Sequence, residues 1–457
     1  MSKVPFFAHQ SAFAATDSDI AALYWEMRCG KTRAVIAWVL NRLAANERAG
    51  SLVVAPVATL LNWRDELALF GIEAVILTGS PDQRMSQVVQ ADEAGVRWFL
   101  INPEGLFLRG SSPRARDVGA SPVAMLPWEA VVLDEATRFK NPQARITKVA
   151  LRWLVHARVK AILTGLPDPE GPSDYFCPMV FLYGSFMGHR KFWDWQQEYF
   201  YRPWKFADWM PLPGTRTLLQ RNIDILANRM TRRQAGVGGA KVYKRFCVSL
   251  PGTAAAAYRI LEKEWALGST SHKHIVARDV ALQRLLGGYY PECPHRAKED
   301  ALVTLLGREW KGEPVVVWFR FNTELFGVAE RLQAAGRKVL TITGDDSRQL
   351  RQDKQQLMRE GHSDALLVQL ACGSHGLDFS WCDTFIYYSN FWSADTRQQS
   401  EDRGIHPTKK GSVLIVDLVV PDTLDEAATD ALRKKKNASA LMRARMLAWC
   451  KTRRSAV

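Results

Sequence analysis

"WEMRCGKT", residues 25–32, ends as a phosphate-binding loop ends and begins as one does not. The pattern G-x-x-x-x-G-K-[ST] places a glycine where Trp25 stands, and the shorter G-x-G-K-T form places one at Arg28. The flanks supply the context. "AALYW" before the loop reads as a strand, and "RAVIAWVLNRLA" after it has helical periodicity. Strand, tight loop, Lys-Thr and helix is the order a phosphate loop requires, because backbone N–H groups and a helix N-terminus then face the anion. In that arrangement Lys31 reaches the β/γ oxygens, Thr32 binds Mg²⁺ and Gly30 permits close approach, with Met27 and Cys29 completing the cradle. Arg28 either adds charge near a triphosphate or points to solvent.

Outward from the loop, short apolar runs alternate with helical patterns. "SLVVAP", "AVILTG", "WFLIN", "AVVLDEA" and "KAILTG" continue the strand rhythm to residue 165, and it returns after residue 313 in "PVVVWF", "KVLTITG", "ALLVQLA", "TFIYYS" and "VLIVDLV". Such alternation predicts an α/β chain with parallel sheets covered by helices on both faces. The expected organisation is a first lobe over 1–167, a mainly helical insertion over 168–310, a second lobe over 311–421 and a basic C-terminal helix or tail over 422–457. Within the insertion, "KFWDWQQEYFYRPWKFADW" (191–209) interleaves aromatics with cations. It reads either as a base-stacking surface or as the packing of small helices. "GVGGAK" (236–241) reads as a loop.

Composition narrows the class. The 457 residues are 47% hydrophobic and 24% charged, a globular balance. No apolar run approaches the roughly 20 residues that cross a bilayer, and no signal peptide is read at the start. The seven cysteines include no C-x-x-C pair, so neither a disulfide framework nor a zinc knuckle is expected, and a reducing cytoplasm is. "TSHKH", with His272 and His274, reads as a loop rather than a metal site. The net charge of +14 favours polyanionic partners. From Arg433 onward there are nine Lys/Arg and no Asp/Glu, so this end is either a solvated basic tail or, through Leu441, Met446 and Trp449, a docked helix.

"AVVLDEATRFKN" (130–141) supplies the partner that a phosphate loop needs. Acids at the carboxyl end of a parallel strand stand where such sheets bind ligands. Asp134 is placed to hold Mg²⁺ through water, and Glu135 to polarise an attacking water.

Taken together, these motifs resemble those of the superfamily 2 helicase-like ATPases of the Swi/Snf type, especially the compact versions found in phages. The ordered matches cover nearly the whole chain. "PFFAHQ" resembles the adenine-reading Q motif, with Gln10 as its glutamine. "LVVAPVATLLNWRDEL" (52–67) resembles motif Ia, and "FLINPEGL" (99–106) the next strand-end contact. "DEATRFKN" stands at the Asp-Glu motif, "LTGLP" (163–167) at motif III and "RMTRRQ" (229–234) at the basic stretch after the first lobe. "GSHGLDFSWCDTFIYYSNFWS" (373–393) resembles motif V, "RQQSEDRGIHPTKKGSVLIVDLV" (397–419) motif VI and "TLDEAATDALRKKKN" the helix that follows.

The resemblance implies two RecA-like lobes, ATP and Mg²⁺ as cofactors, and hydrolysis between the lobes. Lys31, Asp134, Glu135 and Arg403 are the implied catalytic set, with Gly376, Asp378 and His406 also facing the nucleotide. Pro56, Asn62, Trp63, Asn102, Thr164, Gly165, Arg232, Arg233, Gly373 and Ser374 are implied contacts to nucleic acid. The implied work is translocation on duplex DNA in the cytoplasm of a bacterial or phage-infected cell. Two alternatives stand beside it: a strand-separating DNA or RNA helicase, and a clamp that closes on DNA with ATP but hydrolyses little. The chain departs from the family at motif VI, where two arginines three residues apart are usual. Arg403 fills the first place and His406 the second. Histidine lacks the permanent forked charge of arginine. Either turnover is slow, or Lys409 or Lys410 substitutes, or the loop is shifted by one residue.

Overall fold

The computed structural model describes residues 5–46, 48–107, 119–203, 209–264, 266–267, 270–271, 275–310, 312–373, 377–406, 409 and 411–433. The chain divides into two compact units, 1–237 and 238–457.

In the first unit every apolar run read as a strand forms one: β1 (Ile20–Trp25), β2 (Ser51–Val54), β3 (Ala74–Ile76), β4 (Trp98–Ile101), β5 (Ala130–Asp134) and β6 (Val159–Leu163). A two-stranded ribbon, β7 (Phe200–Tyr201) with β8 (Met210–Pro211), follows, and then β9 (Asn228–Met230). Among the described residues the main sheet runs β3-β4-β2-β5-β6-β1-β9, with every pairing parallel. Its central strands β2, β5 and β6 are buried throughout, as strands covered on both faces must be. One face carries Phe99, Phe139, Phe176, Trp195 and Ile223, the other Trp25, Trp38 and Trp63. Three helices frame the candidate site: α1 (Ala8–Ala14), α2 (Lys31–Leu43) and α3 (Val57–Ala68).

The second unit opens with β10 (Lys241–Cys247) and a small ribbon, β11 (Ala266–Leu267) with β12 (Thr270–Ser271). Then come β13 (Val315–Phe319), β14 (Val339–Ile342), β15 (Ala365–Gln369), β16 (Thr384–Tyr387) and β17 (Val413–Val419). The sheet order is β10-β17-β16-β13-β15-β14, again parallel.

The expected insertion over 168–310 is shared between the two units. Its first part buries Phe176, Phe181, Trp195 and Phe200 in the core of the first unit, and β9 extends that sheet beside β1. Its second part buries Tyr258, Leu261, Leu285 and Leu305 in the core of the second unit. The sequence pattern hid β9 and β10 because both are polar edge strands, with most of their residues at least partly exposed. Among the described residues of the aromatic run 191–209, Trp195 and Phe200 are packed, while Trp193 and Tyr201 are exposed, so packing takes part of it; residues 204–208 lie outside the described residues. No described helix is long and apolar enough to cross a membrane.

Candidate active site

A parallel sheet sends all its strands out at one edge, and β5, β6 and β1 are neighbours there. The loop 26–30, the Asp-Glu pair and the Thr164-Gly165 turn therefore converge. The phosphate loop is held in an unusual shape. Arg28 and Gly30 both take left-handed backbone conformations, at φ 69° and 76°, and Gly30 caps α2. For Arg28 this is a strained state that its surroundings must hold. Part of the hold comes from α1. The Gln10 amide donates to the Gly30 carbonyl at 3.0 Å while its oxygen accepts the Phe7 N–H at 2.9 Å. His9 Nε2 donates to the Cys29 carbonyl at 2.9 Å. A Cβ at Gly30 would overlap the Gln10 amide, so this position needs glycine for space as well as for its backbone. In this state Gln10 braces the loop.

Lys31 folds back over its own loop, donating to the carbonyls of Trp25 at 2.9 Å and Glu26 at 3.4 Å. Asp134 lies close enough to Lys31 to feel its charge. Burial raises the Asp134 carboxyl above the usual range, against the Trp63 hydrogen bond, the Lys31 ammonium and the Glu135 N–H, which lower it. Its Oδ2 accepts the Trp63 indole N–H at 2.9 Å and its Oδ1 the Glu135 N–H at 3.0 Å. Glu135 itself is left-handed at φ 51° and half-buried. At the next strand end, a Cβ on Gly165 would stand 3.0 Å from Met27 Cγ, so glycine lets the β6 turn lie against the loop.

These residues fit Mg²⁺ and a triphosphate. One buried carboxylate, the Thr32 hydroxyl and water form the hard-oxygen donor set that Mg²⁺ takes. Lys31 and the first turn of a 13-residue helix suit the phosphates.

Several expected contacts stand elsewhere. Trp63, expected on the nucleic-acid side, is 1% exposed and its indole N–H is turned onto Asp134. Thr164 is 2% exposed and its hydroxyl is used within its own turn, by Leu166 N–H and C=O at 3.2 Å. Pro56 is buried as the residue before α3, whereas Asn62 on that helix is exposed. Asn102 is half-buried and its amide donates to Glu104 at 3.0 Å. Arg232 joins the loop instead of standing apart: its N–H donates to Glu26 Oε2 at 2.9 Å and its guanidinium lies 3.6 Å away. Arg233 is exposed.

In the second unit, Arg403 ends the helix Ala394–Asp402 and donates to the Leu377 carbonyl at 3.2 Å. Asp378 accepts from Ser380 Oγ at 3.0 Å and pairs with Arg359 at 3.4 Å. His406 is half-buried. Lys409 is committed to its own loop: its ammonium donates to the carbonyls of Ser380, Cys382 and Gly404 at 2.9–3.0 Å and pairs with Asp383 at 2.7 Å. For Lys409 to stand in for an arginine it would have to leave these three carbonyls. The helix bearing Arg403 is clamped by a buried network that the sequence did not disclose. Arg397 binds Glu401 and Asp417, each at 2.7 Å, and Lys241 from β10 binds Glu401 at 2.9 Å and Asp402 at 2.6 Å. Burial pushes the Glu401 carboxyl up, but Lys241 and Arg397 together bring it down to about 2. Gly373 closes a short helix, Leu370–Gly373. Ser374, Gly376, His272, His274, Lys410 and the tail beyond Arg433 lie outside the described residues.

Comparison with known proteins agrees with this layout. The family description "SNF2-related domain" matches residues 21–238, and "Helicase conserved C-terminal domain" matches 297–406. The putative ATP-dependent helicase/translocase YwqA of Bacillus subtilis is 21% identical over 454 residues, covering 94% of this chain and 46% of that protein. The ATP-dependent DNA helicase DDM1 of Arabidopsis thaliana is 31% identical over 178 residues, covering 37% of this chain and 22% of that protein. The chain spans less than half the length of these curated relatives. The crystal structure of the Pyrococcus furiosus Hef helicase domain shares the fold, with a TM-score of 0.53 at 14% identity, covering 94% of this chain and 98% of that one.

Proposed function

We propose, from the premise that this chain belongs to the SNF2-type, helicase-like ATPases, that it is an ATP-driven translocase on double-stranded DNA. The observation that carries the proposal is the convergence of Lys31, the Asp134-Glu135 pair and the Gly165 turn on one sheet edge. In this reading the first lobe holds ATP through residues 27–32, with Gln10 nearest the base, and Arg403 of the second lobe completes the site. Asp134 and Thr32 would hold Mg²⁺, which would supply positive charge to the phosphate oxygens. Glu135 polarises a water for attack on the γ-phosphorus. The bond to the ADP oxygen breaks, and ADP and phosphate leave. Arg403 stabilises the charge that builds up, as arginines do in phosphoryl transfer.

DNA as the polymer is supported by the likeness to DDM1, named as a DNA helicase, and translocation by the likeness to YwqA, named as a helicase/translocase. A net charge of +14 suits a phosphate backbone read without regard to sequence. The test is displacement of a third strand from triplex DNA, beside unwinding of a forked duplex. A translocase displaces the third strand with ATP and leaves the fork paired. Unwinding of the fork would favour the strand-separating helicase.

A further inference from the structure

We infer that Trp63 is a positioning residue for the carboxylate of Asp134, and that it joins the nucleotide site to the helix expected to face DNA. The inference rests on the function proposed above for Asp134. A carboxylate held at both oxygens cannot turn about its last bond without breaking a hydrogen bond. Here Glu135 N–H holds Oδ1 at 3.0 Å and the Trp63 indole holds Oδ2 at 2.9 Å, so removing either donor loosens the group.

The contact is more than a by-product of burying an indole. Among the described residues, the indole nitrogens of Trp38, Trp195, Trp209 and Trp318 are buried with no hydrogen-bond partner. Packing alone therefore does not demand one in this protein. Trp63 is locked in the core with Trp25 and Trp38, so it moves only with α3. The solvent-facing side of α3 is open, with Val57 65% exposed and Asn62, Arg64 and Asp65 exposed too. A backbone seated on that side would shift α3 and turn the carboxylate through one hydrogen bond.

Trp63→Phe keeps the ring and removes the N–H. Partners of this kind contribute about 10–100-fold to metal affinity. The variant should therefore need about tenfold more Mg²⁺ to reach half-maximal ADP binding in calorimetry, with metal-free ADP binding unchanged. In an Asp134→Asn background the same change should add nothing. A folded Trp63→Phe protein with the parent's Mg²⁺ dependence overturns the inference, as does a full additive effect on Asp134→Asn. If Trp63→Phe does not fold, the wild-type chain supplies the test. Mg²⁺·ADP, and not metal-free ADP, should slow hydrogen exchange across residues 57–68, and Asp134→Asn should abolish the slowing; no slowing in wild type overturns it. A chain that binds Mg²⁺·ADP in this way yet hydrolyses no ATP would remove the proposed function and leave Trp63 in place.

Discussion

Lys31 and Glu135 serve different steps, and their variants should part accordingly. Lys31 offers charge to the bound phosphates, so Lys31→Ala should abolish turnover and weaken ATP binding. Glu135 acts only on water, so Glu135→Gln should bind ATP normally and hydrolyse it at least about 10²-fold more slowly. Equilibrium binding beside steady-state ATPase rates checks both, and near-normal turnover by Glu135→Gln would remove the water-polarising role. His406 tests the second lobe. With Lys409 committed to its own loop, His406 is the described residue left at the second arginine place. His406→Arg adds a permanent charge, and fingers of this kind contribute about 10³-fold or more, so DNA-stimulated hydrolysis should rise by tenfold or more. An unchanged rate would take His406 out of the site. At this scale Lys31, Asp134 and Glu135 stand out in the sequence because phosphate chemistry needs those side chains at those spacings, and the structure sets them at one sheet edge. It misplaced Trp63 and Thr164, since a motif position says nothing about which way a side chain turns.

At the scale of elements, buried strands were legible and edge strands were not. β13 is a continuous apolar run and β5 is apolar up to Asp134, whereas β10 is "KVYKRFC", whose cations reach outward and to Glu401 and Asp402. Polar residues that pair across the fold leave no periodic trace. Glu324, on the helix Asn322–Ala334, is another such residue. It is fully buried, Ser389 donates to one of its oxygens at 2.5 Å, and the other has no hydrogen-bond partner. Burial pushes its carboxyl up to about 7 from an ordinary 4.5, despite the Ser389 bond and the Lys298 charge. The folded chain thus holds this proton where the unfolded chain has released it. The stability it brings is complete below pH 4.5 and is lost as pH rises through about 7. Glu324→Gln keeps the shape without the charge. It should stabilise the second unit at pH 8 by up to about 3 kcal/mol and leave it unchanged at pH 4. Denaturant melts at the two pH values measure this; equal shifts at both would mean that charge is not what Glu324 contributes.

On the scale of the whole molecule, the two units share one plan: a parallel sheet, helices on both faces and motif residues at strand and helix ends. That plan was readable because burial on two faces forces apolar strands, and phosphate chemistry forces Gly-Lys-Thr and Asp-Glu to particular strand ends. The division at residues 237/238 was not readable, because it depends on which core accepts each half of the aromatic and helical middle region. The central claim joins the two lobes to a polymer: ATP is hydrolysed in response to duplex DNA. The direct measurement is the steady-state ATPase rate of the full chain with no nucleic acid, single-stranded DNA, duplex DNA and RNA, with Lys31→Ala as the blank. A low basal rate that duplex DNA raises by tenfold or more, above single-stranded DNA and RNA, is the result expected. A rate that duplex DNA leaves unchanged, or that single strands or RNA raise further, would contradict it.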